Sequence, residues 1–188
     1  MALTPMVLTA RLIKKDEPDA RVVFIGPCAA KKLEASRRTI RSDVDFVLTF
    51  EEMQGIFDAK GIDPSQMPGD PEDDFVRATG AGRGFAVTGG VAAAVKAAIA
   101  EMDPGRDVPV EHADGLRECR KMLLMAKTGK YNGYLLEGMG CPGGCVAGAG
   151  TITPVRKSSS AVESYKKTAY SQNAVDSKVA ERLHEVEE

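Results

Sequence analysis

EGMGCPGGCVAGAG, residues 137–150, sets two cysteines four apart, surrounds them with glycines and places a proline directly after the first. The run leading into it, YNGYLLEGM (131–139), is apolar enough to form a buried strand. Both thiols are therefore expected just past the carboxyl end of a strand. Pro142 suits the first turn of a helix, where its missing N–H costs nothing, so Cys141 is the expected cap and Cys145 shares its helical face. The sulfurs would then lie near the positive end of a helix dipole, which favours thiolates. Gly143 and Gly144 put no side chain over them, leaving room for a bulky inorganic group. Small residues packing a helix against a sheet are the plainer explanation, but a CxxxC pair in a Gly-Pro turn weighs towards iron–sulfur or zinc ligation.

FIGPCAAKKLE (24–34) repeats the arrangement with a single cysteine. RVVFIG (21–26) reads as a short strand buried on both faces and ended by Gly-Pro, so Cys28 also follows a strand. Alone, Cys28 is equally a small buried apolar residue or a ligand. Lys31 and Lys32 add to the second reading, because a lysine three residues along a helix start can reach back over the sulfur.

Around these two stretches the pattern alternates. Residues 4–15 are expected as a helix with Thr4 as cap, Pro5 at the first helical position, and Met6, Val7, Ala10 and Ile13 on its apolar stripe. VDFVLTF (44–50) is a second strand, and Thr49 caps a helix with Glu51 and Glu52 in its first turn. A helix over 90–102, a short strand near 108–112 and an amphipathic helix within 113–130 follow. Such alternation implies α/β architecture with parallel sheets flanked by helices, whose ligands gather at the strands' carboxyl ends.

Composition excludes several classes. The 188 residues hold 25 basic and 27 acidic side chains for a net charge of -2, which gives no electrostatic footprint for nucleic acid or an anionic membrane. No apolar run approaches a membrane span and the N-terminus lacks a secretory layout, so a cytoplasmic location is expected. Four cysteines in such a chain read as ligands or reactive thiols rather than disulfides. Cys119 is expected in the core, on a stripe with Leu116, Leu123 and Ala126. His112 and His184 are expected at the surface, and Glu34 and Glu137 in salt-bridge or helix-start roles, with proton relay beside a redox centre as the alternative. The acids Asp70, Glu72, Asp73 and Asp74 lack calcium-loop spacing. TGAGRG (79–84) misses the dinucleotide fingerprint.

Taken together, GPCAAKKLE resembles the PCxxKxxE motif and GMGCPGGCVAGAG the MxCPGGCxxGGG motif of the catalytic domain of iron-only hydrogenases, and VTGGVAAAV is similar to that family's TGGVxxA segment. The resemblance implies a two-lobed catalytic domain, with residues 1–155 its C-terminal part, while residues 156–188 read from their composition as a polar helical tail. It implies a 4Fe–4S cubane bridged to a di-iron subsite, together the H-cluster, with Cys28, Cys141 and Cys145 as metal ligands and Cys145 the bridging one. Lys31 would hold an iron-bound cyanide, Met139 would pack beside the diatomic ligands, and Pro27 would line the cofactor. The substrates would be H2 and protons, and the electron partner a ferredoxin-like protein or an upstream cluster domain; no CxxCxxCxxxC run in the sequence identifies the donor. The family's first cysteine motif, which supplies the fourth ligand, precedes the helix that starts here at Thr4. The chain is thus expected to be part of a longer parent, with the cofactor absent or incomplete in the 188 residues alone. Ala30, Gly26, Gly140 and GAGTI depart from the usual pattern and resemble a divergent, sensory-type branch. A non-catalytic relative in iron–sulfur assembly or redox sensing, and a zinc module, are the alternatives.

Overall fold

Pro5 fixes the φ of the first helical residue, and helix α1 (Pro5–Asp16) begins there, closing with Lys14 and Lys15 in its last turn. The computed structural model describes residues 3–68, 78–177 and 180–186. The acids Asp70, Glu72, Asp73 and Asp74 and the side chain of His184 lie outside the described residues. The chain divides into two compact units: residues 1–71, 148–152 and 181–188 form the first, and 72–147 with 153–180 the second.

In the first unit, α1 buries Met6, Val7, Ala10 and Leu12, whereas Ile13 is only half-buried. Met6, Val7 and Ala10 cluster with Val44, and Phe24, Ile40 and Val47 pack against them. Strands β1 (Val23–Ile25) and β2 (Phe46–Leu48) pair in parallel, Phe24 opposite Val47. The expectation that β1 is buried on both faces is corrected: Val23 and Ile25 are 44% and 45% exposed. Phe24 packs on the α1 cluster, whereas Val23, Ile25 and Phe46 on the opposite face of this two-stranded sheet stay exposed. Between the strands lies the short helix α2 (Ala30–Ala35), which buries none of its residues. Helix α3 (Phe50–Lys60) follows β2. It starts in a capping box: Thr49 Oγ1 accepts from the Glu52 N–H, and Glu52 accepts from the Thr49 N–H. It ends at Gly61, whose left-handed φ of 65° lets Ile62 N–H reach back to Phe57 O.

The second unit opens with the short helix α4 (Gly80–Arg83), capped by Thr79 and running into a 3₁₀ turn over Gly84–Ala86. Helix α5 (Gly90–Met102) leads to β3 (Val110–Asp114), α6 (Leu116–Lys127) and β4 (Leu135–Met139). Strands β3 and β4 are parallel, with Asp114 opposite Met139 at their carboxyl ends. Helix α7 (Val155–Lys166) belongs to this unit too, and Arg83 stacks on its Tyr165 ring at 3.9 Å. The stripe expected on α6 is corrected: Leu116 and Leu123 are 77% and 61% exposed. The α6 residues that meet β4 are instead Cys119 and Met122, packed over Gly138, where a Cβ would sit 3.4 Å from Cys119 Sγ and 3.9 Å from Met122 Cε. None of the described helices is long and apolar enough to cross a membrane.

Candidate functional site

Each thiol loop starts where a parallel strand ends. In the first unit the chain leaves β1 through Gly26, Pro27 and Cys28 into α2. Gly26 N–H still pairs with Leu48 O at 3.0 Å, so the loop turns away one residue past the strand. Pro27 O accepts from Gly150 N–H at 3.0 Å, and Gly150 O in turn accepts from Glu51 N–H. A Cβ on Gly150 would sit 2.3 Å from Thr49 Cβ, so this seat beside the Cys28 loop admits glycine alone.

Cys28 is half-buried, and its carbonyl accepts from the Lys31 N–H as α2 begins. The Lys31 ammonium lies 2.6 Å from Glu34 Oε2, and the Thr4 hydroxyl donates to Glu34 Oε1 at 2.6 Å. Thr4 therefore spends its side chain on Glu34 and does not cap α1 with it. Burial disfavours the Glu34 charge, but the bonds from Lys31 and Thr4 outweigh it and hold its carboxyl below the usual range.

In the second unit the chain leaves β4 at Met139 and turns through Gly140 to Cys145. The helix start expected at Cys141 is corrected. Gly144 N–H bonds back to Cys141 O at 3.0 Å, with Pro142 and Gly143 between them and Gly143 at φ 97°. Proline then a positive-φ glycine is the signature of a type II turn. Gly144 is also left-handed at φ 92°, so no helix continues from Pro142, and only a 3₁₀ turn over Cys145–Ala147 follows. The second glycine is required twice over, because a Cβ there would meet Thr88 N at 2.6 Å and Ala86 O at 2.8 Å.

Two carboxylates, Glu137, which flanks the motif, and Asp114, which lies far from it in sequence, hold its surroundings. Glu137, 7% exposed, accepts from the backbone N–H groups of Gly89, Val91 and Ala92 and so takes up the free donors at the start of α5. This is the helix-start role. The sequence signal was a carboxylate inside an apolar strand, which demands donors from somewhere. Asp114 accepts from Gly143 N–H and from the Thr88 hydroxyl; Asp-Gly after a strand reads merely as a turn, and nothing in the sequence marked it.

The remaining candidates are placed as follows. Cys119 Sγ lies within hydrogen-bond reach of Ala113 O and Met139 O, between helix and sheet. His112 is exposed on β3, at the edge of a cavity of about 420 Å³ that Glu111, Asp114, Met122 and Tyr131 also line. None of the four cysteines is in a disulfide. Cys28, Pro27 and Lys31 thus belong to the first unit, and Met139, Cys141 and Cys145 to the second. Among the described residues no three His, Cys, Asp or Glu side chains form a metal-holding group.

These features define an α/β protein with paired parallel strands and glycine-shaped thiol loops at their carboxyl ends. The family described as "Iron only hydrogenase large subunit, C-terminal domain" matches residues 1–149, and the chain belongs to that family. The periplasmic [Fe] hydrogenase large subunit of Nitratidesulfovibrio vulgaris is 30% identical over 173 residues, covering 75% of this chain and 41% of the relative. A probable cytosolic Fe–S cluster assembly factor of Culex quinquefasciatus is 26% identical over 170 residues, covering 70% of this chain and 36% of that protein. The chain therefore spans less than half the length of these relatives. A solved HydA, from a study of stepwise H-cluster assembly, superposes with a TM-score of 0.69 at 20% identity, covering 97% of this chain and 64% of the other. A variant of HydA1 from Chlamydomonas reinhardtii gives 0.69 at 18% identity, covering 98% and 64%. Both have the fold of the hydrogenase catalytic domain, and this chain shares it.

Proposed function

We propose that this chain supplies three thiolates, Cys28, Cys141 and Cys145, to an H-cluster in a cytoplasmic enzyme that interconverts H2 with protons and electrons. The observation that carries the reading is the Cys141–Gly144 turn, in which Pro142 and two left-handed glycines shape the backbone between two thiols just past the end of a parallel strand. The donor set fits: soft thiolates are what iron–sulfur clusters take, and a fourth would come from an upstream cysteine motif. When bound, the cluster would supply the electron-transfer and bond-making chemistry.

The chain's own residues do the rest. Cys145 would hold the group together with Cys141 and Cys28. Lys31 holds an anionic ligand through its ammonium, shared with Glu34, which keeps that cation in place. Met139 would shield the bound group with an apolar thioether and keep water away, and Pro27 would stiffen the approach to Cys28. Electrons reach the site from a ferredoxin-like partner or a cluster domain of the same protein.

A second reading, a hydrogenase-like iron–sulfur protein in cluster assembly or sensing, is favoured by the similarity to an assembly factor and by Ala30 and Gly26 in the first motif. Anaerobic reconstitution joined to an upstream cysteine segment separates them. Infrared bands of iron-bound CO and cyanide with H2 uptake support the enzyme. A cubane signal without those bands supports the second reading, and zinc without iron overturns both.

A further inference from the structure

Asp114 stands at the last position of β3 and Thr88 in the turn before α5, and neither belongs to a cysteine motif. The same carboxylate oxygen of Asp114 accepts from Gly143 N–H at 2.8 Å and from Thr88 Oγ1 at 3.1 Å. Thr88 N–H closes the ring by donating to Gly143 O at 3.4 Å. Gly143, the residue halfway between the two thiols, is thereby held through both its N–H and its C=O. The adjoining Gly144 is pressed against the backbone of residues 86–88, at distances that leave no room for a Cβ. The neighbouring strand is anchored as well, since Gly115 N–H, just past Asp114, donates to Met139 O at 2.8 Å.

A proline-glycine turn restrains its own φ angles, but nothing local restrains how it tilts relative to the strand it leaves. From this ring of bonds we infer that Asp114 is a positioning residue: it sets the orientation of the Cys141–Cys145 loop, and so the separation at which the two sulfurs are offered to one inorganic group. An acceptor carrying full charge makes stronger bonds to N–H and O–H than a neutral one, which is why a carboxylate suits a post that must hold two donors at once. Thr88 is the second arm of the clamp, and it ties the VTGG segment to the cysteine loop in the same ring. The inference rests on the reading of Cys141 and Cys145 as a ligand pair.

The test uses the reduced 188-residue chain and two reagents. Dibromobimane becomes fluorescent when it bridges two nearby thiols, and peptide mapping identifies the Cys141–Cys145 product; iodoacetamide labels each thiol singly. The ratio of bridging to single labelling reads the spacing of the pair apart from its exposure. In Asp114→Ala the ratio is expected to fall about tenfold, the worth of one charge-assisted bond. Single labelling of Cys119 and Cys28 should not change. Asp114→Asn, whose carbonyl oxygen can accept both bonds, should return the ratio to within about threefold of the original. An unchanged ratio in Asp114→Ala overturns the inference, as does an Asn variant that behaves like the Ala one. Should Asp114→Ala expose Cys119 through loss of fold, Thr88→Val decides: a fall of about threefold supports the clamp, and no change overturns it. Iron loading of the unaltered chain is measured in parallel. Normal bridging without iron sinks the ligand reading and spares the clamp, whereas iron uptake with an indifferent Asp114→Ala does the reverse.

Discussion

The two thiol loops leave their strands in the same way and are held in opposite ways. The Cys28 loop is surrounded by side-chain pairs: Lys31 with Glu34, Thr4 with Glu34, and Lys32 with Glu52. Its backbone is met by Gly150 N–H at Pro27 O and by Leu48 O at Gly26 N–H. The Cys141–Cys145 loop is held mostly through its backbone, by two left-handed glycines, a turn bond, and the Asp114 carboxylate that accepts the Gly143 N–H. Side-chain pairs at a partly exposed edge contribute little and adjust easily, whereas a crowded backbone cannot give. The first loop is thus tolerant and the second strict.

Substitutions in the second loop should therefore cost far more. Gly144→Ala puts a Cβ 2.6 Å from Thr88 N at a left-handed φ, and a loss of about 4 kcal/mol is expected in urea unfolding. A loss under about 1 kcal/mol would mean that the turn relaxes freely and would erase the contrast. Glu137→Ala strands three N–H groups at the start of α5 and should cost about 3 kcal/mol, with amide exchange of Val91 and Ala92 accelerating.

On the first side, Thr49→Ala removes one half of the α3 capping box, and about 1 kcal/mol is expected, read as a lower thermal midpoint. Smallest is Lys31→Ala, at about 0.5 kcal/mol near neutral pH, since the pair is only partly shielded from water. Its signature is in pH. The Glu34 carboxyl is held below its unfolded range, so its contribution is complete above about pH 5 and is lost as pH falls through the lowered folded value. Asp45, held low first by Lys14, then by Val22 N–H and Arg21, acts in the same sense. Stability measured from pH 7 to 3 should fall less steeply in Lys31→Ala, while Gly144→Ala should shift the whole curve without changing its slope.

Much of the frame was legible from residues. Thr4-Pro5 opened α1, Thr49 with Glu52 capped α3, and both cysteine motifs followed strands. The errors share one cause. Pro142 fits the first turn of a helix and the second place of a type II turn equally well, and Gly143 and Gly144 decided for the turn by taking positive φ. On α6, periodicity placed Leu116 and Leu123 inward, but Cys119 and Met122 are the side chains that pack on β4 over Gly138.

Local chemistry along the chain determined which segments become helix or strand, where the thiols stand relative to strand ends, and the family to which the motifs belong. Those properties depend on neighbours a few residues away, which the sequence states outright. Only the tertiary structure decided that Asp114 and Glu137 serve the glycine loops, that a turn and not a helix follows Cys141, and which face of α6 is covered. Each of these depends on a backbone N–H or a vacant volume supplied by a segment tens of residues away, and no residue type announces such a partner in advance.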